Sequence, residues 1–287
     1  MTSTERVVAI TGATDGLGRA IAQQIATGGA TTIVHGRDEA RVNALVGELR
    51  ATQPTARVSG YVADFASLDA VRELGRALAA DVPRIDVLIN NAGVGSGAPG
   101  RERELSADDH ELRFAVNYLA PFLLTALALP LLREAAAARI VNVASVGQTA
   151  IDFADVMLVR GYDGRRAYAQ SKLALIAFTF ELAARLRVAG ITNVTANALH
   201  PGSLMPTKMV FESYGYTLST LESGVEATLR LALDPALDGV SGRYYDVLAE
   251  ARANAQAYDE AARERLWSLS ERLCAAGYAR VLSAPVG

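Results

Sequence analysis

The chain has 287 residues, 51% apolar, 21% charged and 6% aromatic, enough to bury a sizeable core in one or two domains. A formal charge of −3 argues against a dedicated nucleic-acid surface, which normally carries a basic excess. One cysteine, Cys274, excludes an intrachain disulfide framework or a cysteine-based zinc cluster, and three scattered histidines (His35, His110, His200) argue against any metal site.

In chain order, short apolar runs at 7–11, 31–34, 57–62, 87–90, 140–144 and 194–199 predict strands. Segments with helical spacing at 17–27, 39–50, 69–80, 108–133 and 167–188 predict helices between them. This alternation gives a doubly wound α/β fold, a parallel sheet with helices on both faces, and nearly all-apolar strands suit a sheet covered on both sides. Residues 95–100 and 161–166 are expected to be loops, about 202–220 a mobile loop over a site, and about 250–275 a C-terminal helix carrying the only tryptophan, Trp267. No linker, repeat or low-complexity tract divides the chain, so residues 1–287 are expected to form a single domain. Residues 1–6 lack the apolar core of a secretory signal. The longest apolar stretch, 119–132, holds 14 residues and two prolines, short of the roughly 20 that span a membrane. A soluble, cytoplasmic protein with no membrane span is the expectation.

The first predicted strand runs into Thr11-Gly12-Ala13-Thr14-Asp15-Gly16-Leu17-Gly18 and then a helix. Glycines there let the backbone turn sharply and approach a pyrophosphate, whose charge sits at the helix N-terminus. The spacing is Gly-x-x-x-Gly-x-Gly, not the Gly-x-Gly-x-x-Gly of the common dinucleotide fingerprint. The second strand ends in Val34-His35-Gly36-Arg37-Asp38. An acidic side chain at that place favours NAD, and a basic one accommodates the 2′-phosphate of NADP. Arg37 comes first, with Arg41 one helical turn on, which favours NADP(H) over NAD(H). Asp38 either pairs with Arg41 or itself reaches the ribose.

Only two of the 28 basic residues are lysines, Lys172 and Lys208. Tyr168 and Lys172 stand at i and i+4 on one face of a predicted helix. An ammonium beside a phenol, whose ordinary pKa is about 10, favours phenolate and lets that group exchange a proton at moderate pH. Lysine's compact ammonium can serve a tyrosine and a ribose hydroxyl together, a task less suited to arginine's planar fork. The fifth strand leads to Asn142-Val143-Ala144-Ser145, placing a serine where ligands meet the carboxyl ends of parallel strands. Its hydroxyl could donate to a substrate oxygen as charge develops there. The residue two before Ser145 is Val143, so the Gly-x-Ser-x-Gly elbow of hydrolases is absent.

Together these motifs resemble the short-chain dehydrogenase/reductase family over almost the whole chain. Residues 11–18 match its cofactor turn, Asp64 its adenine-contacting acidic residue, and Asn90-Asn91-Ala92-Gly93 its motif after the fourth strand. Asn117, Ser145, Tyr168 and Lys172 match its catalytic tetrad, and Pro201-Gly202 the turn beside the nicotinamide. The resemblance implies a Rossmann-type sheet of about seven strands binding NAD(P). The implied coenzyme contacts are Gly12, Thr14, Asp15, Gly16, Leu17, Gly18, Arg37, Arg41, Asp64, Phe65, Asn91, Ala92, Gly93, Tyr168, Lys172, Pro201 and Gly202. It further implies hydride transfer between nicotinamide C4 and a carbonyl or carbinol carbon, with Tyr168 as general acid/base. Lys172 would lower that phenol's pKa and hold the ribose, Ser145 would orient the substrate oxygen, and Asn117 would support a water connecting Lys172 to solvent. Ser145 and Tyr168 lie 23 positions apart, more than in compact members. The extra stretch 151–166, Arg37-Asp38 and the tail with Leu266, Trp267 and Ser270 resemble the retinol-dehydrogenase-like and WW-domain-oxidoreductase-like branch, which mostly prefers NADP. Family oligomers pack the long fourth and fifth helices, and an insertion beside the latter alters that surface, so a homo-oligomer stays an open expectation.

Expected substrate walls at 94–100, 146–162 and 203–216 carry Phe153, Met157, Leu158, Leu204, Met205, Met209, Phe211, Tyr214 and Tyr216. Such walls suit a medium-to-large, largely apolar ketone or alcohol. Asp152 and Asp155 either greet a polar group or remain solvated loop charges. The leading expectation is an NADP(H)-dependent oxidoreductase acting on a carbonyl or secondary alcohol. Its rivals are an NAD-dependent alcohol dehydrogenase working oxidatively, and a non-catalytic cofactor-binding sensor or scaffold, which would usually lack the tyrosine or the lysine.

Overall fold

The apolar runs become strands of one sheet. A computed structural model describes residues 6–98, 100–207, 210–211 and 215–283. Its strands are β1 (Val7–Ile10), β2 (Thr31–Gly36), β3 (Val58–Val62), β4 (Val87–Asn90), β5 (Ala138–Val143), β6 (Val194–His200), β7 (Tyr244–Asp246) and β8 (Ala249–Glu250). They lie in the order β3-β2-β1-β4-β5-β6-β7-β8. Neighbours from β3 through β7 pair in parallel, and β8 folds back antiparallel on β7. The sheet therefore has eight strands rather than about seven, the extra one being a two-residue hairpin return. Strand order reverses between β1 and β4, and the crevice outside their carboxyl ends is where an open α/β sheet receives ligands.

The helices are α1 (Gly16–Thr27), α2 (Glu39–Thr52), α3 (Leu68–Asp81), α4 (Leu112–Arg133), α5 (Gly164–Val188), α6 (Leu221–Leu233), α7 (Glu260–Cys274) and α8 (Tyr278–Ser283). Successive strand residues point to opposite faces. Val8 and Ile10 thus join a core beneath α1, α2 and α6, while Ala9 joins the core shared by α3, α4, α5, α7 and α8. β5 and β6 are buried throughout, and β3, at the sheet edge, is largely exposed.

Three boundaries differ from expectation, the first being α4, which begins at Leu112 and not at 108. Helix α5 begins at Gly164, inside the stretch expected to be loop, because the Asp163 carboxylate accepts the Arg166 N–H at 2.7 Å and starts the helix. The C-terminal helix begins at Glu260 and not near residue 250. The chain first makes β8 and a 3-10 turn at Ala255–Tyr258, and Asn254 and Asp259 each cap a new start. That intervening segment is tied to the stretch after Ser145: Gln148 Oε1 accepts the Asn254 N–H at 2.7 Å, and Gln256 Oε1 accepts the Ile151 N–H at 2.6 Å.

Helix α4 is long and apolar enough to cross a membrane, with a mean hydropathy of 1.8 in a window that is 89% buried within this fold. The C-terminal pair α7 and α8 packs against part of it. Trp267 packs on Phe122, Phe178 and Tyr278 at ring separations of 5.3, 6.0 and 4.5 Å. Tyr118 Oη meets Ser270 Oγ at 2.6 Å, and Tyr278 Oη donates to the Phe122 carbonyl at 2.8 Å. Trp267→Ala would open a cavity between three rings. It is expected to cost about 3–5 kcal/mol, measured as a lowered urea midpoint.

Candidate active site

Between β1 and α1 the backbone turns through Gly12 (φ +63°) and Gly16 (φ +49°), left-handed conformations that disfavour side chains. Close packing adds a second restriction. A Cβ on Gly12 would lie 2.7 Å from Ala92 Cα, and one on Gly18 would lie 2.2 Å from the Gly12 carbonyl oxygen. The turn is laced to the segment after β4: Thr11 Oγ1 accepts the Asn91 and Ala92 N–H groups at 3.0 Å each. Asn91 Nδ2 donates to the Thr11 and Gly12 carbonyls at 2.9 and 3.1 Å. Asp15 caps α1 by accepting the Gly16 N–H at 2.8 Å, while Leu17 is buried in the core. Thr14 sits against Gly36, whose Cβ would come 2.6 Å from the threonine methyl. This glycine cradle at a helix N-terminus fits a pyrophosphate.

Beneath the turn lies His35, which in the sequence is only one of three scattered histidines. Its Nδ1 accepts the Gly12 N–H at 3.3 Å, its Nε2–H donates to the Ala63 carbonyl at 2.9 Å, and its ring stacks on Phe65 at 4.4 Å. The ring of Phe65 is therefore buried under the turn, and Asp64 beside it accepts the Ala66 N–H at 2.9 Å. A histidine ending a buried strand just before a glycine is the one signal of this role that the sequence carries.

Asp38 meets Arg41, one of its two expected partners, through the main chain and not through the guanidinium. Its carboxylate caps α2, accepting the Arg41 N–H at 2.9 Å. The Arg41 guanidinium instead reaches Asp15 at 3.5 Å, both side chains about half exposed. Arg37 is exposed immediately after β2.

At the other end of the crevice, Lys172 is buried on α5, and its Nζ donates to the Val143 carbonyl at 2.8 Å. The same Nζ lies 5.8 Å from the centre of the Tyr168 ring. Burial pushes the Lys172 ammonium down to about 8. Asn117 sits in a π-type turn (Ala115–Leu119) within α4, an irregularity common at functional positions. Its side-chain amide closes on both backbone groups of Val94, accepting the N–H at 2.7 Å and donating to the carbonyl at 3.0 Å, and also donates to Ser171 Oγ at 3.0 Å. Pro121, four residues on, has no N–H to close an α-helical bond onto the Asn117 carbonyl.

Ser145, just past β5, has its Oγ against the Gly147 N–H at 3.1 Å. Tyr244, from a strand the sequence pattern does not reveal, donates its hydroxyl to the Ser145 carbonyl at 3.1 Å, and Gln148 Nε2 adds a second bond at 3.0 Å. Gly93 joins the two ends of the site: a Cβ there would lie 3.1 Å from Asn117 Oδ1 and 3.6 Å from Lys172 Nζ. Pro201 and Gly202 follow β6, with Gly202 at φ +149°. The loop beyond is closed at its base by bonds from the Ser219 N–H to the Ser203 carbonyl and the Leu218 N–H to the Leu204 carbonyl, at 3.0 and 3.1 Å.

The expected substrate walls divide. Leu158 and Met205 are buried in packing, while Phe211 and Tyr216 are exposed. Met209 and Tyr214, like Lys208, lie outside the described residues. Asp152 pairs with Arg166 at 2.9 Å, and Asp155 accepts the Val159 and Arg160 N–H groups at 2.9 Å each, so both shape the loop itself.

Burial pushes His35 down to about 4 from the usual 6.5, keeping it neutral beneath the turn. Between those values the unfolded chain holds a proton that the folded chain refuses. The stability His35 provides is therefore complete above pH 6.5 and is lost as pH falls to about 4. In His35→Asn, the drop in unfolding free energy between pH 7 and 4.5 is expected to be smaller than in the wild type by about 2 kcal/mol, read from denaturant titrations.

A family model for short chain dehydrogenases matches residues 6–214. Human retinol dehydrogenase 14 is 38% identical, covering 93% of this chain and 85% of that protein. Mouse polyprenol dehydrogenase is 37% identical, covering 95% and 84%. Among solved structures, an uncharacterised Mycobacterium paratuberculosis protein superposes with a TM-score of 0.77 at 30% identity, over 96% of this chain and 95% of that one. A short chain dehydrogenase from Escherichia coli CFT073, complexed with NADPH, superposes at 0.69 with 25% identity, over 87% and 100%. With its glycine turn and its tyrosine–lysine pair at the two ends of one crevice, the chain belongs to the short-chain dehydrogenase/reductase family of NAD(P)-binding oxidoreductases, in the retinol-dehydrogenase-like branch.

Proposed function

We propose that the protein interconverts a carbonyl and an alcohol on a medium-to-large, largely apolar substrate with NADP(H), Tyr168 acting as general acid/base. The observation that carries this reading is the buried Lys172 ammonium one helical turn from Tyr168, beside the notch left by Gly93. When bound, the nicotinamide coenzyme supplies or accepts the hydride. Of the three Lys172 donors, one goes to the Val143 carbonyl among the described residues. The other two are suited to a ribose hydroxyl and the phenol oxygen. A positive charge there favours phenolate, so Tyr168 gives its proton to a carbonyl oxygen and takes one from an alcohol. Ser145, its backbone anchored by Tyr244 and Gln148, presents a hydroxyl to that same oxygen. The pyrophosphate belongs on the turn of Gly12, Thr14, Asp15, Gly16, Leu17 and Gly18, with Asn91, Ala92 and Gly93 backing it and Pro201-Gly202 closing the nicotinamide side. Asp64 and Phe65 border the adenine.

The Asp38 carboxylate is taken up by the Arg41 N–H as a helix cap, not by a guanidinium, and exposed Arg37 follows β2 directly, which supports a 2′-phosphate at that end. The rival reading, NAD-dependent alcohol oxidation, draws on Asp15, whose carboxylate holds Arg41. Relatives named for retinol and polyprenol act, by those names, on alcohols carried by apolar chains. Phe211 and Tyr216, exposed in the sequence beyond Gly202, suit such a chain.

Tyr168→Phe is expected to lower turnover of an apolar aldehyde by at least about 100-fold while NADPH still binds, seen as coenzyme fluorescence in titration. Arg37→Ala is expected to weaken NADPH about 10- to 100-fold and NADH little; tighter binding of NADH than NADPH by the wild type would select the rival. Lys172→Met separates stability from activity. Burial lowers the lysine from 10.5 to about 8, so its cost is full below pH 8 and fades as pH rises toward 10.5. The variant is expected to melt no lower than the wild type at pH 7 and to lose about 100-fold or more in turnover.

A further inference from the structure

We propose that Arg113 is a positioning residue for the substrate-side wall of the crevice, its guanidinium gripping the loop after β4 and holding it against the segment that leads into α5. The inference rests on the reading of that crevice given above. Arg113 is 2% exposed at the start of α4. A guanidinium taken that far from water must find partners for its donors, and here they come from several segments at once. Nε donates to the Gly95 carbonyl at 3.0 Å and Nη2 to the Ser96 carbonyl at 3.2 Å. Nη1 meets Glu111 and Nη2 meets Glu104, each at 3.4 Å.

Glu111, 1% exposed, passes the grip onward. Its Oε2 accepts the Phe114 N–H at 2.8 Å, and its Oε1 accepts the Tyr162 hydroxyl at 3.2 Å. The Tyr162 ring lies 5.9 Å from the Arg113 guanidinium carbon. Burial and the neighbouring carboxylate push Tyr162 up to about 12, so it remains a donor at any working pH. Two glycines record how closely the parts meet. A Cβ on Gly164, the first residue of α5, would lie 2.3 Å from the Ser96 carbonyl oxygen. Gly97, at φ +75°, would bring a Cβ to 3.1 Å from Arg113 Nη2. The Ser96 carbonyl is thus enclosed between the guanidinium and the helix that carries Tyr168 four residues later. Asn117, four residues beyond Arg113 and so on the same helical face, holds Val94. Successive backbone positions of the wall are therefore fixed from one helix.

Lysine keeps the charge and loses the fork, which makes Arg113→Lys the decisive variant, with Tyr162→Phe as a milder one that removes a single hydroxyl. Each full-length protein is assayed with NADPH and the apolar aldehyde the wild type reduces best. Hydrogen exchange is followed over 94–104 and 157–163 without substrate. Arg113→Lys is expected to raise the aldehyde KM about tenfold or more, with kcat and NADPH affinity within about threefold, and to quicken exchange in both segments together. Tyr162→Phe is expected to move KM in the same direction by about threefold. A folded Arg113→Lys with wild-type KM, even at a lowered Tm, overturns the proposal. So does a parallel loss of NADPH affinity, or exchange that quickens over 94–104 alone. Failure of the wild type to reduce any aldehyde would instead reject the functional reading, and the exchange experiment would still decide whether Arg113 couples the two segments.

Discussion

The Lys172 ammonium, withdrawn from water at the carboxyl end of β5, is the constraint on which the crevice depends. A buried amine is costly unless the surroundings supply oxygen acceptors. Here the described protein gives it one, the Val143 carbonyl, and leaves its remaining donors for whatever fills the space beside Gly93. Several nearby features fit that arrangement. Gly93 carries no side chain where one would press on Nζ, and burial, with a smaller contribution from the charge of Lys172, keeps His200 below its ordinary pKa. In the proposed mechanism, the group that costs stability is the group the chemistry uses.

The two sides proposed for coenzyme and substrate are built by different means. The coenzyme side is mostly backbone in close contact, glycine against Ala92 and Thr11 against Asn91, with His35 as a neutral two-way connector below. Buried charge dominates the substrate side, in the Arg113–Glu111 pair and the tyrosine it engages. The C-terminal helices complete the second side from outside, since Trp267, Ser270 and Tyr278 cover α4 and the segment around Ala255–Tyr258 secures the stretch after Ser145.

Much of this architecture is legible in the amino-acid sequence. Strands that are buried on both faces announce themselves as apolar runs, and five such strands, with the exposed edge strand β3, are found within a few residues of where the pattern places them. The glycine turn and the Tyr168–Lys172 spacing are visible because each needs particular residue types at fixed separations. What the pattern hides has a physical reason. β7 and β8 are three and two residues long and include charged side chains, too short to carry a period. The onset of α7 is obscured because 250–260 is as rich in helix formers as the helix itself, and only the caps Asn254 and Asp259 divide it. The roles of His35 and Tyr244 depend on partners 23 and 99 positions away, and that of Arg113 on burial that composition does not reveal.

Asn117 and Arg113 hold Val94, Gly95 and Ser96 only by main-chain atoms. Peptide groups are common to every residue, so the grip is indifferent to which side chains the wall displays. Outside Gly97, exchanging one lining group for another would therefore leave the grip intact, so long as the number of residues between β4 and α4 is kept. An added or deleted residue would shift the carbonyls off the guanidinium, which makes length, more than composition, the quantity that this grip constrains.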